Sequence, residues 1–257
     1  MHTNSHLTVI HSFANRLASL GMIDELFWYV AEVVVPQLGF EDCTIFQYDI
    51  KSQKLIQKST WNLHNPNKKN SLATGIQLSL GEGIAGTAAQ TGEIVTIPDT
   101  RLDNRYKVGF KINLSECAIP LKYDNKVIGV LDCEHSEVNY FSEEKQKLLV
   151  TVAALLATRV GNSISLEKIE QTVEMLRNAE KLQKALYDIA SLLHKANNMD
   201  DFYVRLHEII GRLMYAGNFF IALYDKKQEV FNIPYFIDTV DDAPEHDIPV
   251  ELLKNSL

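Results

Sequence analysis

From Ser142 to about Lys195 the sequence reads as one long helix, and that run divides the chain into a part before it and a part after it. Ser142 followed by Glu143 and Glu144 makes a good start, because the hydroxyl can cap free amides while the carboxylates sit at the positive end of the helix dipole. The only weak spot is Gly161-Asn162-Ser163. Beyond it, Ile169, Val173 and Leu176, then Leu182, Leu186, Ile189 and Leu193, form two heptad-like blocks whose phase slips between Arg177 and Lys181. Polar residues fill the other faces, so the stripe calls for a partner helix, and a coiled-coil connector in a parallel homodimer is the expected arrangement. The slip permits two packings of similar stability, as a two-state switch requires, although it can equally be a simple bend.

The part before this helix alternates helical and strand signals. Leu7, Ile10, Phe13, Leu17 and Leu20 recur at helical spacing, and Ile23, Leu26, Phe27, Val30 and Val34 repeat the pattern after Gly21, which predicts two short helices or one kinked helix. Pro36 and Gly39 end that run, and Cys43 to Tyr48 then pairs with Lys54 to Ser59 across a polar turn. After a polar loop at Asn62 to Ser71, the alternation of Ile76, Leu78 and Leu80 with Gln77 and Ser79 predicts a strand with one buried face. Gly81, Gly83 and Gly86 tighten the chain into a short helix ending at Gly92, and Ile94 to Ile97 forms a strand closed by Pro98. Asp99 to Asn113 is a long loop with aromatic anchors at Tyr106 and Phe110, and long ordered loops in compact domains are often functional. Cys117 to Leu121 and Lys126 to Cys133 flank Tyr123-Asp124-Asn125 as a second hairpin. The fold class is α+β.

After the long helix, a helix near Asp201 to Tyr215 precedes strands at Phe219 to Tyr224 and Val230 to Ile237, repeating the order seen at residues 22 to 59. The resulting division is a first domain over 1–141, its last helix continuing as connector over 142–195, and a second unit over 196–257. That second unit is too short to close a comfortable core, so the expectation is that it is truncated.

Composition narrows the function. Acidic residues outnumber basic ones 33 to 25, the net charge is -8 and the basic residues are scattered, which disfavours a nucleic-acid partner. The longest apolar stretch, Leu148 to Val160, contains Thr151, Thr158 and Arg159 and falls short of the roughly 20 apolar residues of a membrane helix. The first residues, through Ser5 and His6, show neither a basic start nor a signal-type apolar core, and Cys43, Cys117 and Cys133 have neither disulfide-framework nor zinc spacing, so a reducing cytoplasm is expected.

Leu80-Gly81-Glu82-Gly83-Ile84-Ala85-Gly86-Thr87-Ala88-Ala89 through Ile97-Pro98-Asp99, taken with Ser115-Glu116-Cys117-Ala118-Ile119-Pro120-Leu121 through Val127-Ile128-Gly129-Val130-Leu131-Asp132, resembles the GAF family. The resemblance spans residues 7 to 165. It implies an antiparallel sheet with helices packed on one side and a small-molecule pocket on the other. Asn218 to Asp225 with Phe231 to Phe236 looks like the first half of a second GAF domain, of a sort found ahead of diguanylate cyclase and histidine kinase modules. The implied role is a cytoplasmic sensory region that passes ligand state through the connector to an output such as cyclic-di-GMP synthesis or a histidine kinase.

One enzymatic branch of the family, the free methionine-(R)-sulfoxide reductases, is the alternative. The acidic side chains that hold the substrate amine there match Glu116, Asp132 and Glu134, whereas its reactive cysteines would fall at about Gly75, Ala85 and Gly109. Sulfoxide reduction needs an attacking thiolate and a resolving thiol, so that chemistry is expected to be absent. Cys133, between Asp132 and Glu134 on a strand, points to the opposite face, and Cys117 is likewise out of phase with Glu116. What the resemblance leaves is a ligand site in which Glu116, Asp132 and Glu134 take a small cationic or amine-bearing metabolite, with Trp61, Tyr106 or Phe110 as an apolar wall. Alternatively, these carboxylates pair at the surface with Arg101, Arg105 or Lys122. No cofactor or metal is expected: His135 lacks a second ligand at suitable spacing, and the acidic stretch Asp238, Asp241, Asp242, Glu245 and Asp247 lacks calcium-loop spacing.

Overall fold

The computed structural model describes residues 2–17, 19–64, 75–108, 112–240 and 248–249. The chain divides into two compact units, residues 1–167 and 168–257.

In the first unit, α1 (His2–Leu17) and α2 (Ile23–Tyr29) precede a π-helical turn, Val30–Val34, and a last turn, α3 (Val35–Gln37). Then follow β1 (Asp42–Asp49), β2 (Lys54–Asn62), β3 (Gln77–Ser79), α4 (Gly83–Thr91), β4 (Val95–Ile97), a 3₁₀ turn at Thr100–Leu102, β5 (Ser115–Tyr123), β6 (Lys126–His135) and α5 (Glu143–Lys195). The six strands form one antiparallel sheet in the order β3-β2-β1-β6-β5-β4.

Strand alternation sorts the side chains. Cys43, Ile45, Cys117, Ile119, Leu121, Leu131 and Cys133 face α1, α2 and the first half of α5, packing with Phe13, Leu26, Phe27, Val30, Leu149, Val152, Leu156 and Val160 into the main core. The opposite face carries Phe46, Leu55, Ala118 and Val130 against Ile84, Ala85, Ala88 and Ala89 of α4. α4 therefore lies on the side away from the other helices, a placement the sequence reading did not assign. Gly86 permits its approach to the sheet, since a Cβ there would lie 2.6 Å from the Ser79 carbonyl oxygen. By length and composition α5 could cross a membrane. Its apolar residues Leu149, Val152, Ala153, Leu156, Ala157 and Val160 are instead buried in the domain core.

The hairpin turn Asp124-Asn125 has both residues at positive φ, the type I′ geometry expected of a two-residue loop. A bulge interrupts the β1–β2 pairing: Ile45 faces Ser59 and Phe46 faces Gln57, leaving Lys58 as the extra residue. β3 is shorter than the alternation at Ile76 to Leu80 suggests, and both of those flanking residues are substantially exposed. The α5 start agrees with expectation, with the Lys145 amide donating to Ser142 Oγ, and the helix runs unbroken through Gly161-Asn162-Ser163.

The second unit holds the later part of α5, α6 (Met199–Gly211) and a small antiparallel sheet of β7 (Phe219–Asp225), β8 (Val230–Ile237) and β9 (Ile248–Pro249). Ala185, Leu192 and Ile209 form its small core, with Ile189, Phe202 and Leu206 against them. The His207 ring stacks on Phe219 at 4.8 Å and shares a hydrogen bond of 2.9 Å with the Tyr235 hydroxyl. α6 ends before the expected Tyr215, which is exposed. Ile169, Val173, Leu176, Leu182 and Leu186 along α5 are all exposed. Of the acidic stretch only Asp238 lies within the described residues.

Candidate ligand-binding site

The sheet face that α4 covers carries the acidic residues. Register sets Glu116 of β5 directly opposite Glu134 of β6, with Asp132 two residues along, facing Ala118. On the other side of β6, Asp42 faces Glu134 and Thr44 faces Asp132. Four carboxyl groups from three neighbouring strands thus share one patch. They form the floor of a cavity of about 320 Å³. Phe46, Ile76, Leu78, Ile84 and Val108 supply apolar wall, and Glu82 and Lys107 form an ion pair among the lining residues.

Each carboxyl is fixed differently. Asn62 Nδ2 donates to Asp42 Oδ2. Glu134 Oε2 accepts from Asn113 Nδ2 at 2.7 Å and from the Tyr106 hydroxyl at 3.2 Å, while the Tyr106 oxygen accepts from the Asn113 amide at 3.0 Å. Burial holds the Tyr106 phenol well above its ordinary value, so it remains a donor. Glu116 and Asp132 are 4% and 8% exposed, and desolvation followed by the neighbouring carboxylates pushes both well above the usual carboxylate range. The interaction between the two raises Glu116 and lowers Asp132. Among the described residues, Asp132 Oδ1, fully shielded from solvent, has no hydrogen-bond partner, and neither has Asn113 Oδ1. A buried acceptor of this kind is costly unless a donor reaches it.

Of the residues expected at the site, Glu116, Asp132 and Glu134 do converge. Tyr106 reaches it as a polar clamp on Glu134 and contributes no apolar wall. Trp61 is placed on the opposite face: it pairs with Cys43 and packs into the main core, because the bulge at Lys58 reverses the alternation beyond it. Phe110 lies outside the described residues. The surface-pairing alternative has its cations engaged elsewhere, with Arg101 on Asp99 and Arg105 on Asp103 at 2.6 Å, and Lys122 near Glu93 at 3.7 Å. Sequence reasoning missed Asp42, Thr44, Asn62, Glu82, Lys107 and Asn113, which only strand register and loop path bring to the patch.

The three cysteines form one row across β1, β6 and β5, Cys43 opposite Cys133 and Cys133 opposite Cys117, buried in the main core with their backs to the acidic patch. Burial pushes the Cys117 thiol up to about 12 and Cys133 well above its ordinary value. Ala85, where the resemblance places a reactive cysteine, lines the cavity. His135 is packed, its ring stacked on Tyr140 at 3.3 Å and its Nδ1 accepting from the Glu137 amide. Among the described residues no group of three or more His, Cys, Asp and Glu side chains is arranged to hold a metal ion.

With this geometry in view, comparison with known proteins is decisive for the family. The GAF domain model matches residues 23–160, more than half of the chain. The chain belongs to the GAF domain family, whose members are commonly sensory regulatory domains. Among curated relatives, the Bacillus subtilis protein YtsP is 30% identical over 81 residues, 32% of this chain and 50% of that one. The chain spans half or less of the length of the curated relatives it matches. The GAF domain of an Acinetobacter phosphoenolpyruvate-protein phosphotransferase superposes with a TM-score of 0.54 at 24% identity, over 62% of this chain and 94% of that one. The free methionine-R-sulfoxide reductase of Neisseria meningitidis gives 0.55 at 20%, over 63% and 91%. Likeness at these identities establishes the fold alone.

Proposed function

We propose that the first unit is the sensor of a cytoplasmic signalling protein and that its cavity binds a small organic cation, an amine-bearing metabolite, through Glu116, Asp132 and Glu134. The observation that carries this reading is the solvent-shielded Asp132 Oδ1, without a hydrogen-bond partner among the described residues, on a side chain that lines an acidic cavity. An ammonium or guanidinium group would supply both the missing donor and the compensating charge. Apolar residues on the wall suit a short hydrocarbon portion. The site acts by binding and has no catalytic step, because Ala85 stands where a thiol nucleophile would be needed and the cysteines present are buried on the other face. A coupled NADPH assay on free methionine-(R)-sulfoxide should therefore show no turnover.

Transmission is proposed to run through the loop over residues 99–113. Glu134 holds Tyr106 and Asn113, Thr100 Oγ1 donates to the Asn113 carbonyl, Ser115 Oγ to the Glu137 carbonyl, and the Asn139 amide to the Pro98 carbonyl. A ligand that competes for Glu134 perturbs the segment immediately ahead of the Ser142 cap of α5. It shifts the equilibrium only by its differential affinity for the two states. The exposed α5 stripe supports a parallel homodimer, and the resemblance of residues 218–236 to the start of a second GAF domain supports an output of the diguanylate cyclase or histidine kinase kind. Titration calorimetry with methylammonium, guanidinium and amino acids is the test. Heats abolished by Asp132→Ala are expected, and no heat from any of them would refute the cation site.

A further inference from the structure

We propose that the cavity exchanges a proton for its ligand: a single proton shared between Glu116 and Asp132 closes that pair in the ligand-free protein, and an incoming organic cation expels it to solvent. The inference rests on the cation reading above and adds a stoichiometry to it.

The patch is crowded with carboxyl groups. Glu116, Asp132, Glu134 and Asp42 occupy neighbouring positions on three adjacent strands, where like charges face one another across the register. Two carboxylates in direct contact cannot both ionise cheaply away from water, and the arrangement that relieves them is one proton held in a hydrogen bond between them. Glu116 and Asp132 sit diagonally across the β5–β6 register, both almost fully buried, and among the described residues the solvent-shielded Asp132 Oδ1 has no hydrogen-bond partner. The groups that bear on the pair from the surrounding elements are Glu134 on β6, Asp42 on β1, and Asp103, Arg105 and Tyr106 from the loop, while Glu82 and Lys107, paired with each other, line the same cavity. Arg105 is engaged with Asp103 at 2.6 Å, and the Tyr106 hydroxyl with Glu134. Neither donates to the pair in the described hydrogen bonds.

A cation placed against Asp132 favours ionisation of both members of the pair, because the opposite charge offsets the repulsion that kept the proton in place. The balance is simple: the protonated pair plus an ammonium ion gives the complex with both carboxylates ionised and one proton delivered to the buffer. Binding then strengthens as pH rises, approaching tenfold per pH unit while the pair remains protonated in the free protein. A sensor built this way reads its ligand and the local proton concentration together.

Titration calorimetry of methylammonium into the full chain, at one pH near 7 in phosphate and in the sulfonate-bearing buffer HEPES, reads the released proton directly. Apparent heats that differ in proportion to the buffers' ionisation enthalpies, with close to one proton per site, are expected. Equal heats in the two buffers would overturn the exchange while leaving the cation site standing. Glu116→Gln keeps the donor to Asp132 but has no proton to release, so it should bind with heats that no longer depend on buffer; persistent dependence would also overturn the assignment. Infrared titration of the ligand-free protein supplies an independent arm, in which a neutral carboxyl band at neutral pH should vanish in Glu116→Gln. Absence of that band in the unaltered chain overturns the shared proton. Its presence, with no heat from methylammonium in either buffer, overturns the cation reading and the exchange with it.

Discussion

The Tyr123 ring packs against the α5 backbone at Gly161, where a Cβ would sit 2.0 Å from the ring's Cγ, and the Tyr123 hydroxyl donates to Asn162 Oδ1 at 2.8 Å. The tip of the β5–β6 hairpin is thereby locked to the helix that leaves the domain. Helix propensity alone would favour alanine at Gly161 by about 1 kcal/mol, but the clash reverses the sign. Gly161→Ala should destabilise the domain by roughly 1–3 kcal/mol, the usual cost of overpacking, as measured by urea unfolding. Gly211→Ala, at a position with open space around it, should instead be neutral or stabilising by up to about 0.5–1 kcal/mol.

Glu116 and Asp132 bind protons more tightly in the fold than in the unfolded chain. Their contribution is therefore fully present below the ordinary carboxylate range and is lost as pH rises through the raised folded values. The domain should melt at higher temperature in mildly acidic than in alkaline buffer, and Glu116→Gln should flatten that slope. Glu82 acts oppositely. Its hydrogen bonds to Lys107 and the Ser79 amide bring it down to about 2, so its smaller contribution is present at neutral pH and lost as pH falls below the usual carboxylate value. A melting profile rising monotonically from acid to alkali would contradict the first assignment.

Tyr106→Phe removes the acceptor of the Asn113 amide and a donor to Glu134 together. A cost of about 1–3 kcal/mol is expected for the polar groups left unpaired. Limited proteolysis should show faster cleavage within residues 99–113, with the cleavage rate of the β1–β2 hairpin unchanged.

The exposed leucines of α5 carry the dimer prediction. Burying one leucine is worth roughly 1.5–3 kcal/mol, so Leu182→Asp, acting in both copies, should weaken association by on the order of 100-fold or more. Light scattering should find a dimer for the unaltered chain and a monomer for the variant at equal concentration. A monomeric unaltered chain at micromolar concentration would contradict dimerisation through this stripe.

The fold was legible where local chemistry and tertiary packing agree. Asp124-Asn125 marks its hairpin by residue type alone, Ser142 caps the helix it precedes, and the two-residue period puts Cys133 opposite to Asp132 and Glu134. The site was legible only along single strands. Asp42 reads as an ordinary polar residue beside a turn until β1 is set against β6, and Asn113 becomes a ligand of Glu134 only when the loop returns to the sheet. Trp61 went to the wrong face for a definable reason: strict alternation from Leu55 would aim it at the cavity, and the extra residue at Lys58, invisible in any one-strand pattern, turns it toward the helices. α4 was found as a helix, but nothing in its small residues says which side of the sheet it covers.

The row of Cys43, Cys133 and Cys117 also has a practical side. With all three sulfurs sealed between sheet and helices, an alkylating reagent gains access only when those layers part, so the labelling rate of this native chain is a clock for its rarest and largest opening motions.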